Sequence, residues 1–380
     1  MKTTASYHQG ARTMPGHYYT SPEIFAEERE RIFGKRWVCV GRAAEIADKG
    51  CYAAYMIAGE SIIVVRGKAG DVRAFYNVCR HRGTRLTEER AGCFSGSIQC
   101  PYHAWTYSLD GQLIGAPHMQ EVEGFNKREY PLHSVALQEW EGLLFVSLAR
   151  DPEPFEQTFA PVMGRFSRFN ISKLALIKRI EYDVASNWKL INQNYSECLH
   201  CPVIHPELSR IMPYMSGAND LIEGLQLGGY MMIGQEDNGG GGGGGGGGNA
   251  SMTMTGHTAG LPVGDLPPDD MNRAYYYTLF PNLLLSMHPD YVCVYTLWPE
   301  SPGRTRVICD WLFSKESVDD PSFNPGDAIE FWDTTNRQDW HITEQSLKGI
   351  SSRAYTPGPY SPRESIPAAW DRAYLKVMNP

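Results

Sequence analysis

Short apolar runs separated by turn residues fill the chain from about Trp37 to Leu148. The runs include "SIIVVRG", "DVRAFYNV" and "GLLFVSLA", and they are rich in Val, Ile, Phe and Tyr. Runs of this length and composition, bounded by glycine or Asp-Gly, predict β-strands joined by tight turns. Residues 37–148 are therefore predicted to form a small all-β domain.

An acidic segment with helical character precedes this domain, within residues 1–36. Its sequence is "SPEIFAEERERIFGKRW", in which Ser21 is a candidate N-cap and Pro22 stands at the first helical position. A serine cap satisfies free backbone N–H groups, and proline in the first turn loses no hydrogen bond. We expect this N-terminal helix to pack on the second domain.

From about Ala149 the pattern changes to a mixture of helical candidates and longer strands, which ends in a long helix. That order predicts an α+β domain over residues 149–380, with an antiparallel sheet covered by helices. A run of ten glycines, Gly239–Gly248, interrupts it. Glycine loses the most backbone freedom on folding, so the run is predicted to be a flexible surface loop or an inserted linker.

Composition narrows the function classes. The 380 residues carry a formal net charge of −8, which is not the basic footprint of nucleic-acid binding. No apolar stretch reaches the roughly 18 residues of a membrane span, and "MKTTASYHQGARTMPGHYYT" has no apolar core of a secretory signal. Nine scattered cysteines favour reduced thiols over a disulfide framework. We therefore expect a cytoplasmic protein without nucleic-acid or membrane partners.

Two Cys-plus-His pairs lie in turns of the predicted all-β domain. "CRHRG" supplies Cys79 and His81, and "CPYHAW" supplies Cys100 and His103. Thiolates and imidazoles bind zinc or an iron–sulfur cluster. A zinc knuckle usually contains two cysteines or two histidines, whereas each loop here contributes one cysteine and one histidine. The mixture suits a 2Fe-2S cluster with two thiolates on one iron and two imidazoles on the other, with zinc as the alternative.

The two loops together resemble the Rieske domain of ring-hydroxylating and related oxygenases. The resemblance implies that Cys79, His81, Cys100 and His103 hold a Rieske 2Fe-2S cluster.

Residues around the two loops have predicted supporting roles. Gly83 would allow the backbone a tight turn, and Arg80 and Arg82 would place positive charge beside a centre that gains an electron. Tyr102 and Trp105 would shield the cluster from water, which helps to set its potential.

A second group of candidate ligands follows in "NYSECLHCPVIHPEL". His200 and His205 are five residues apart, which on an ideal helix turns their side chains roughly 140° from each other. Pro202 is expected to end the helix after His200, so that the chain turns and brings both rings to one metal. Two imidazoles and one carboxylate with open positions form the facial triad of non-haem Fe(II) oxygenases.

This segment resembles the iron-binding motif of Rieske oxygenase α subunits, in which an acidic residue lies three before the first histidine. Here that residue is Glu197, predicted to lie one helical turn before His200. Many members of the family have aspartate, and glutamate is typical of relatives that act on quaternary ammonium compounds. The resemblance implies a head-to-tail homotrimer in which Glu197 bridges His103 of one subunit to His200 of the next.

The third iron ligand should be an aspartate on a distant helix. "NPGDAIEFWDTTNRQDWHITEQSLKG" predicts a helix with Asn324 as cap, Pro325 at the first position and Gly349 at the end. Asp333 and Asp339 are six residues apart, about 120° around a helix, so at most one faces the iron. The resemblance to the ligand helix of the family selects Asp339 over Asp333.

Three further cysteines permit other interpretations. Cys198 and Cys201 form a Cys-x-x-Cys pair that could be redox-active or bind zinc. We expect both to be packing residues and Cys93, between the two cluster loops, to be a structural thiol.

The resemblance implies an α+β fold of the helix-grip, START-like type and the terminal oxygenase of a multicomponent system. Iron would be held as mononuclear Fe(II) by His200, His205 and Asp339. The chain has no dinucleotide fingerprint, so NAD(P)H and flavin would act only through a separate reductase that supplies electrons for O2. A Rieske electron-transfer protein without oxygenation is the alternative outside this class.

The substrate pocket is predicted to be aromatic, and a pocket of this kind can hold an aromatic ring or a trimethylammonium group. The chain as a whole, Glu197 and the stretch "TPGPYSPRE" after the ligand helix resemble choline, glycine betaine, carnitine and stachydrine oxygenases more than naphthalene-type dioxygenases. This resemblance implies oxidative N-demethylation, with aromatic ring hydroxylation as the alternative. Strand alternation would turn about half of the candidate side chains inward. The candidates are Tyr275, Tyr276, Tyr277, Phe280, Tyr291, Tyr295, Trp298 and Trp311.

Overall fold

The computed structural model describes residues 7–234 and 250–379. Two compact units divide the chain, one formed by Arg29–Thr158 and the other by Met1–Glu28 together with Phe159–Pro380. The boundaries predicted from the sequence lay after residues 36 and 148. The glycine run Gly239–Gly248 lies outside the described residues.

Two short helices near the start belong to the larger unit, α1 (His17–Thr20) and α2 (Pro22–Glu28). The Ser21 hydroxyl accepts the N–H groups of Glu23 and Ile24, both at 3.1 Å, so the predicted cap is present. The buried Glu28 ends α2, and its Oε2 accepts the Trp188 indole N–H at 2.9 Å. The N-terminal segment is thereby tied to the part of the chain that precedes His200 and His205.

The smaller unit is built from antiparallel strands. Seven strands form one sheet in the order β1-β10-β9-β4-β3-β2-β5, and three form a separate sheet in the order β6-β7-β8. This arrangement confirms the predicted all-β domain. The elements are β1 (Val38–Arg42), β2 (Cys51–Ile57), β3 (Glu60–Arg66), β4 (Val72–Tyr76), β5 (Ala91–Cys93), β6 (Ser97–Gln99), β7 (Thr106–Ser108), β8 (Leu113–Gly115), β9 (Ser134–Trp140), β10 (Leu143–Ser147) and the helix α3 (Phe155–Thr158).

A disulfide joins Cys51 of β2 to Cys93 of β5, at a position where the two residues face each other across the ladder. The expectation that Cys93 is a free structural thiol is therefore wrong. Directly opposed positions on neighbouring antiparallel strands bring Cβ atoms close enough for a disulfide, and this pairing cannot be read from one sequence.

The larger unit contains one antiparallel sheet of seven strands in the order β11-β17-β16-β15-β14-β13-β12. Helices cover this sheet, as the α+β prediction requires. Its strands are β11 (Ala175–Val184), β12 (Ala218–Leu221), β13 (Gln226–Met232), β14 (Arg273–Leu279), β15 (Leu283–Met287), β16 (Tyr291–Ser301) and β17 (Arg304–Phe313). Its further helices are α4 (Trp188–Tyr195), α5 (Cys201–Ile204), α6 (Pro206–Ile211), α7 (Lys315–Val318), α8 (Gly326–Ile350) and α9 (Ser365–Met378).

The core of this unit lies between the sheet and α8. Strand β17 contributes Trp311 and Phe313, and α8 contributes Phe331, Trp332 and Trp340, all buried in one apolar cluster. The long helix is thereby fixed against the sheet, which determines where its polar residues point. Among the described helices, none combines the length and the apolar composition that a membrane crossing requires.

Candidate cluster site and metal centre

The first cluster loop follows β4, and the second joins β6 to β7. In the first, Cys79 N–H donates to Thr84 O at 2.9 Å and Gly83 N–H donates to Cys79 O at 3.0 Å. In the second, Cys100 N–H donates to Trp105 O at 2.8 Å. Gly83 has φ +78°, and a methyl group added there would meet no atom within 4 Å. Glycine is therefore favoured at this position by the left-handed backbone conformation and not by a lack of space for a side chain.

The four candidate cluster ligands form a buried pair and an outer pair. Cys79 and Cys100 are each 3% exposed, whereas His81 is exposed and His103 half-buried. Burial raises the pKa of the Cys100 thiol, and the neighbouring Cys79 raises it further. The His81 and His103 rings lie 4.7 Å apart between centroids. Two sulfurs inside and two imidazoles outside fit the donor set of a Rieske cluster.

Three aromatic residues surround these ligands. Trp105 is buried and stacks on His81, with ring centroids 4.8 Å apart. Tyr102 lies against His103, with ring centroids 3.6 Å apart, and 56% of Tyr102 is exposed, so its role in shielding the cluster from water stays a prediction. The sequence interpretation missed Tyr107, whose hydroxyl lies 3.4 Å from Cys79 Sγ. Its position two residues after Trp105 was the available signal, because alternate residues share a face of a strand.

The second group of ligands lies in a loop and two short helices. Helix α4 ends at Tyr195, where Ser196 N–H is shared between the carbonyls of Asn192 and Gln193. Glu197 and His200 therefore lie beyond the helix, and the expectation that one helical turn joins them is wrong. Pro202 does not end a helix either. It stands in the first turn of α5, where its missing N–H costs no hydrogen bond.

Three donor atoms converge at this loop. The distance between His200 Nε2 and His205 Nε2 is 3.2 Å. Asp339 Oδ1, from α8, lies 3.3 Å from His200 Nε2 and 2.9 Å from His205 Nε2. Ligands about 2.1 Å from a metal and at right angles to each other are about 3.0 Å apart. The three side chains therefore fit one face of a metal ion, as a facial triad requires.

The outer nitrogens of both imidazoles are held by side chains. Glu197 Oε1 contacts His200 Nδ1 at 2.5 Å, and Gln338 Oε1 contacts His205 Nδ1 at 2.6 Å. An acceptor at Nδ1 fixes the tautomer that leaves the Nε2 lone pair free for a metal. Gln338 escaped the sequence interpretation, although its place directly before Asp339 on the ligand helix is visible in the chain.

The charges of the centre reinforce one another. Burial alone would lower the pKa of His200, but hydrogen bonds to Asp339 and Glu197 raise it to about 10. Burial alone would raise the pKa of Asp339, but His200 and His205 lower it to about 2. The buried carboxylate stays ionised because positive charge lies beside it, and a divalent cation bound in place of the His200 proton would supply that charge.

Asp333, the alternative third ligand, has other partners. Its Oδ1 accepts the Tyr182 hydroxyl at 2.8 Å and its Oδ2 accepts Arg337 Nε at 3.1 Å. Helix α8 begins at Gly326 and ends at Ile350, so the predicted cap at Asn324 and end at Gly349 each differ by one residue from the observed bounds. The helix brings Asp339 to the two histidines and turns Asp333 away.

A cavity opens beside the three donor atoms. Besides the ligands, its polar wall includes Asn194 and Thr335, and its apolar wall includes Leu208, Met212 and Met231. Three aromatic side chains, Tyr195, Tyr276 and Trp332, also line the cavity. No lysine or arginine belongs to the lining among the described residues.

Of the eight aromatic residues predicted as candidates, Tyr276 lines this cavity. Its neighbours in β14 face the other way: Tyr275 donates to Asp270 at 2.6 Å, and Tyr277 to Asp220 at 2.9 Å. The prediction missed Tyr195 and Trp332. Trp332 precedes Asp339 by seven residues, two helical turns, and this spacing was the available signal.

Cys198 and Cys201 also border the cavity, and a disulfide joins them. The expectation that they are reduced packing residues is wrong. The chain bends between the end of α4 and the start of α5, which brings their Cα atoms to 5.0 Å. The prediction placed the turn after His200, whereas helix α4 ends at Tyr195 and the chain bends before His200.

Comparisons with known proteins agree with this geometry. Residues 171–379 match the family described as ring hydroxylating alpha subunit (catalytic domain), and residues 36–126 match the Rieske [2Fe-2S] domain. The chain is 34% identical to the glycine betaine monooxygenase oxygenase subunit of Chromohalobacter salexigens over 93% of this chain and 82% of that protein. It is 36% identical to the carnitine monooxygenase oxygenase subunit of Escherichia coli K12, over 53% of this chain and 54% of that protein.

A crystal structure of the quaternary ammonium Rieske monooxygenase CntA with its substrate L-carnitine is also similar, with a TM-score of 0.76 and 25% identity. The similarity covers 97% of this chain and 96% of that one. With naphthalene 1,2-dioxygenase from Rhodococcus the TM-score is 0.75 at 20% identity, which shows a shared fold. The chain belongs to the ring-hydroxylating oxygenase α subunits, and it is a Rieske non-haem iron oxygenase.

Proposed function

We propose that the chain hydroxylates an N-methyl carbon of a small quaternary ammonium compound and so removes the methyl group as formaldehyde. The observation that carries the proposal is the position of the three metal-facing donor atoms on the wall of a cavity lined by Tyr195, Tyr276 and Trp332. The names of the relatives, glycine betaine and carnitine monooxygenase oxygenase subunits, support the same class of substrate.

Binding of the substrate follows from the lining. The faces of Tyr276 and Trp332, whose centroids are 6.1 Å apart, would attract a trimethylammonium group by cation–π contact. Leu208, Met212 and Met231 would exclude water from its methyl groups. The cationic trimethylammonium end of such a substrate needs no lysine or arginine in this part of the lining.

The metal centre and the cluster divide the chemistry. His200, His205 and Asp339 would hold Fe(II), which supplies O2 activation when bound, with electrons from a 2Fe-2S cluster held by Cys79, His81, Cys100 and His103. One O2, two electrons and two protons give one hydroxylated carbon and one water. The C–N bond to the hydroxymethyl group then breaks, giving formaldehyde, a tertiary amine and a proton.

We also propose that a separate reductase supplies the electrons and that the chain assembles as a head-to-tail homotrimer. The reductase would carry flavin and draw on NAD(P)H. Glu197 holds His200 through one oxygen, and its carboxylate would meet His103 of a neighbouring copy. A solved CntA structure described in terms of inter-subunit electron transfer, with a TM-score of 0.80 and 25% identity, supports this arrangement. A cytoplasmic location stays a prediction.

A substrate panel tests the activity. Iron-loaded protein with a surrogate reductase is given glycine betaine, L-carnitine, choline and an aromatic acid, and formaldehyde is measured against ring diol. We expect formaldehyde from at least one quaternary amine. Diol from the aromatic acid without turnover of any quaternary amine would overturn the proposal.

Mixed assemblies test the arrangement of subunits. A Cys100→Ser chain lacks a cluster ligand and a His205→Ala chain lacks a metal ligand, so each alone should be inactive. Co-assembled, a head-to-tail ring pairs intact clusters with intact metal centres of neighbours and should regain part of the activity. Full inactivity of well-assembled mixtures would show that each chain relies on its own cluster.

A further inference from the structure

We propose that Cys198 and Cys201 form a redox-controlled ligand switch: the disulfide keeps the metal centre open for iron, and its reduction releases Cys201 as an additional metal ligand. The inference rests on the proposed metal centre at His200, His205 and Asp339. It goes beyond that centre by assigning a role to the two cysteines that surround His200.

The distances allow Cys201 to bind the same metal as the histidines. Its Sγ lies 3.9 Å from His200 Nε2, and donor atoms of His200, Cys201 and His205 all lie within 4.8 Å of one another. A thiolate and an imidazole on one tetrahedral zinc are about 3.6 Å apart. Small side-chain movements therefore suffice once the sulfur is free.

In the disulfide, Cys201 Sγ has no thiolate charge to offer. The centre then presents two imidazoles and a carboxylate, a set that keeps positions open for O2 chemistry. With Cys201 added, the set becomes two imidazoles, a thiolate and a carboxylate. Such a set fills a tetrahedral zinc site, since thiolate strongly favours zinc. Reduction should therefore fill the open coordination positions and favour zinc over iron.

The disulfide can be reached from outside the cavity. Cys198 lines the metal-side cavity and also a second pocket, formed with Leu199, Tyr214, Met215 and Arg363. Cys198 is 8% exposed and Cys201 is 3% exposed. A thiol reductant would therefore attack Cys198, the more accessible sulfur, and Cys201 would be the leaving group.

The exchange balances with a dithiol as the reductant. One thiolate of the dithiol attacks Cys198 Sγ, the S–S bond breaks and Cys201 leaves as thiolate. The second thiol attacks the mixed disulfide and releases Cys198, so two electrons pass to the protein and the dithiol becomes a cyclic disulfide. The two protons of the dithiol go to Cys198 and Cys201, or to solvent in place of Cys201 when Cys201 binds a metal as thiolate.

Zinc X-ray absorption tests the switch without a turnover assay. Protein freed of iron at the mononuclear centre, with its cluster content checked by visible absorption, is loaded with zinc before and after treatment with dithiothreitol. We expect nitrogen and oxygen neighbours alone before reduction, and a sulfur shell at about 2.3 Å after it. Differential alkylation with mass spectrometry should show Cys198 and Cys201 blocked before reduction and open afterwards.

Variants separate the outcomes. Cys198→Ser should show the sulfur shell without reductant, and Cys201→Ser should never show it. Cys93→Ser, which removes the other disulfide, should respond like the wild type. Zinc without sulfur in the reduced wild type, or alkylation of both cysteines before reduction, would overturn the switch. If His205→Ala leaves the zinc shell unchanged, the metal centre itself is misassigned, which is a different failure.

Discussion

Glu197 and His200 meet in a loop, where Glu197 Oε1 contacts His200 Nδ1 at 2.5 Å although neither residue belongs to a helix. The other carboxylate oxygen, Oε2, accepts the backbone N–H of Leu199. Both oxygens are thus fixed within one bend of the chain. The bend sets the direction of the His200 ring and keeps a negative charge on the side of the ring opposite the metal.

Replacing Glu197 with glutamine should lower turnover while leaving the metals in place. The amide keeps the shape and can still accept the His200 N–H, but it loses the negative charge that, in the proposed trimer, lies between the cluster and the metal centre. Loss of an outer partner of this kind costs about 10- to 100-fold in activity. Steady-state formaldehyde release, with iron and cluster contents measured on the same samples, checks this.

Glu207→Gln is the matched control for that variant. Glu207 lies in α6, ten residues further along, and does not belong to the cavity lining. The control should keep turnover within about twofold of the wild type. Equal losses in the two variants would mean that removal of either carboxylate near the loop lowers turnover, which would contradict a specific bridging role for Glu197.

Asp339→Asn should release the mononuclear iron, whereas Asp333→Asn should retain it. An amide at residue 339 brings no charge to offset the cation, and the loss of a charged ligand lowers metal affinity by at least about tenfold. Asp333 is occupied by Tyr182 and Arg337. Iron content after dialysis against a weak chelator is the measurement. The assignment fails if Asp333→Asn loses iron and Asp339→Asn does not.

The candidate ligands could be selected from the sequence because they are close together in the chain or spaced by a regular period. Cys79 with His81, and Cys100 with His103, occupy single turns, so spacing alone brings each pair together. The resemblance to the family selected Asp339. The helical period showed only that Asp333 and Asp339 cannot both face the same metal. Strand alternation likewise predicted that neighbours in β14 would face opposite sides.

The remaining features depend on contacts that one sequence does not record. The end of α4 at Tyr195 reflects a shared hydrogen bond at Ser196, not a proline. The disulfide between Cys51 and Cys93 depends on the register of two strands separated by 42 residues. Trp332 lines the cavity because α8 packs on the sheet, which determines the face that this helix turns to the histidines.

Tyr276→Leu should weaken substrate binding more than catalysis. Leucine keeps an apolar wall but removes the ring face that attracts a cation, a contact worth up to about 2 kcal/mol when shielded from water. We expect KM for the quaternary amine to rise by about tenfold, with kcat less affected. Tyr276→Phe, which keeps the ring and loses the hydroxyl that approaches Met212 Sδ at 3.6 Å, is the control. A similar rise in both variants would assign the effect to the hydroxyl.

Asp371→Asn should change how the stability depends on pH. Asp371 is 3% exposed, and its carboxylate accepts Gln193 Nε2 at 2.5 Å and the Tyr360 hydroxyl at 2.8 Å, which links α9 to α4. Burial raises the pKa of Asp371 from 3.8 to about 7, despite the opposing hydrogen bonds from Gln193 and Tyr360. The folded state therefore holds this proton more tightly than the unfolded state. Its stabilising contribution is complete below pH 3.8 and is lost as the pH rises to about 7. Relative to wild type, Asp371→Asn should gain stability over that window, by at most about 4 kcal/mol.

Denaturant midpoints at several pH values check this, with Asp269→Asn, whose side chain is 79% exposed, as the control. A constant difference between Asp371→Asn and wild type across the window would show that the buried carboxyl does not titrate there.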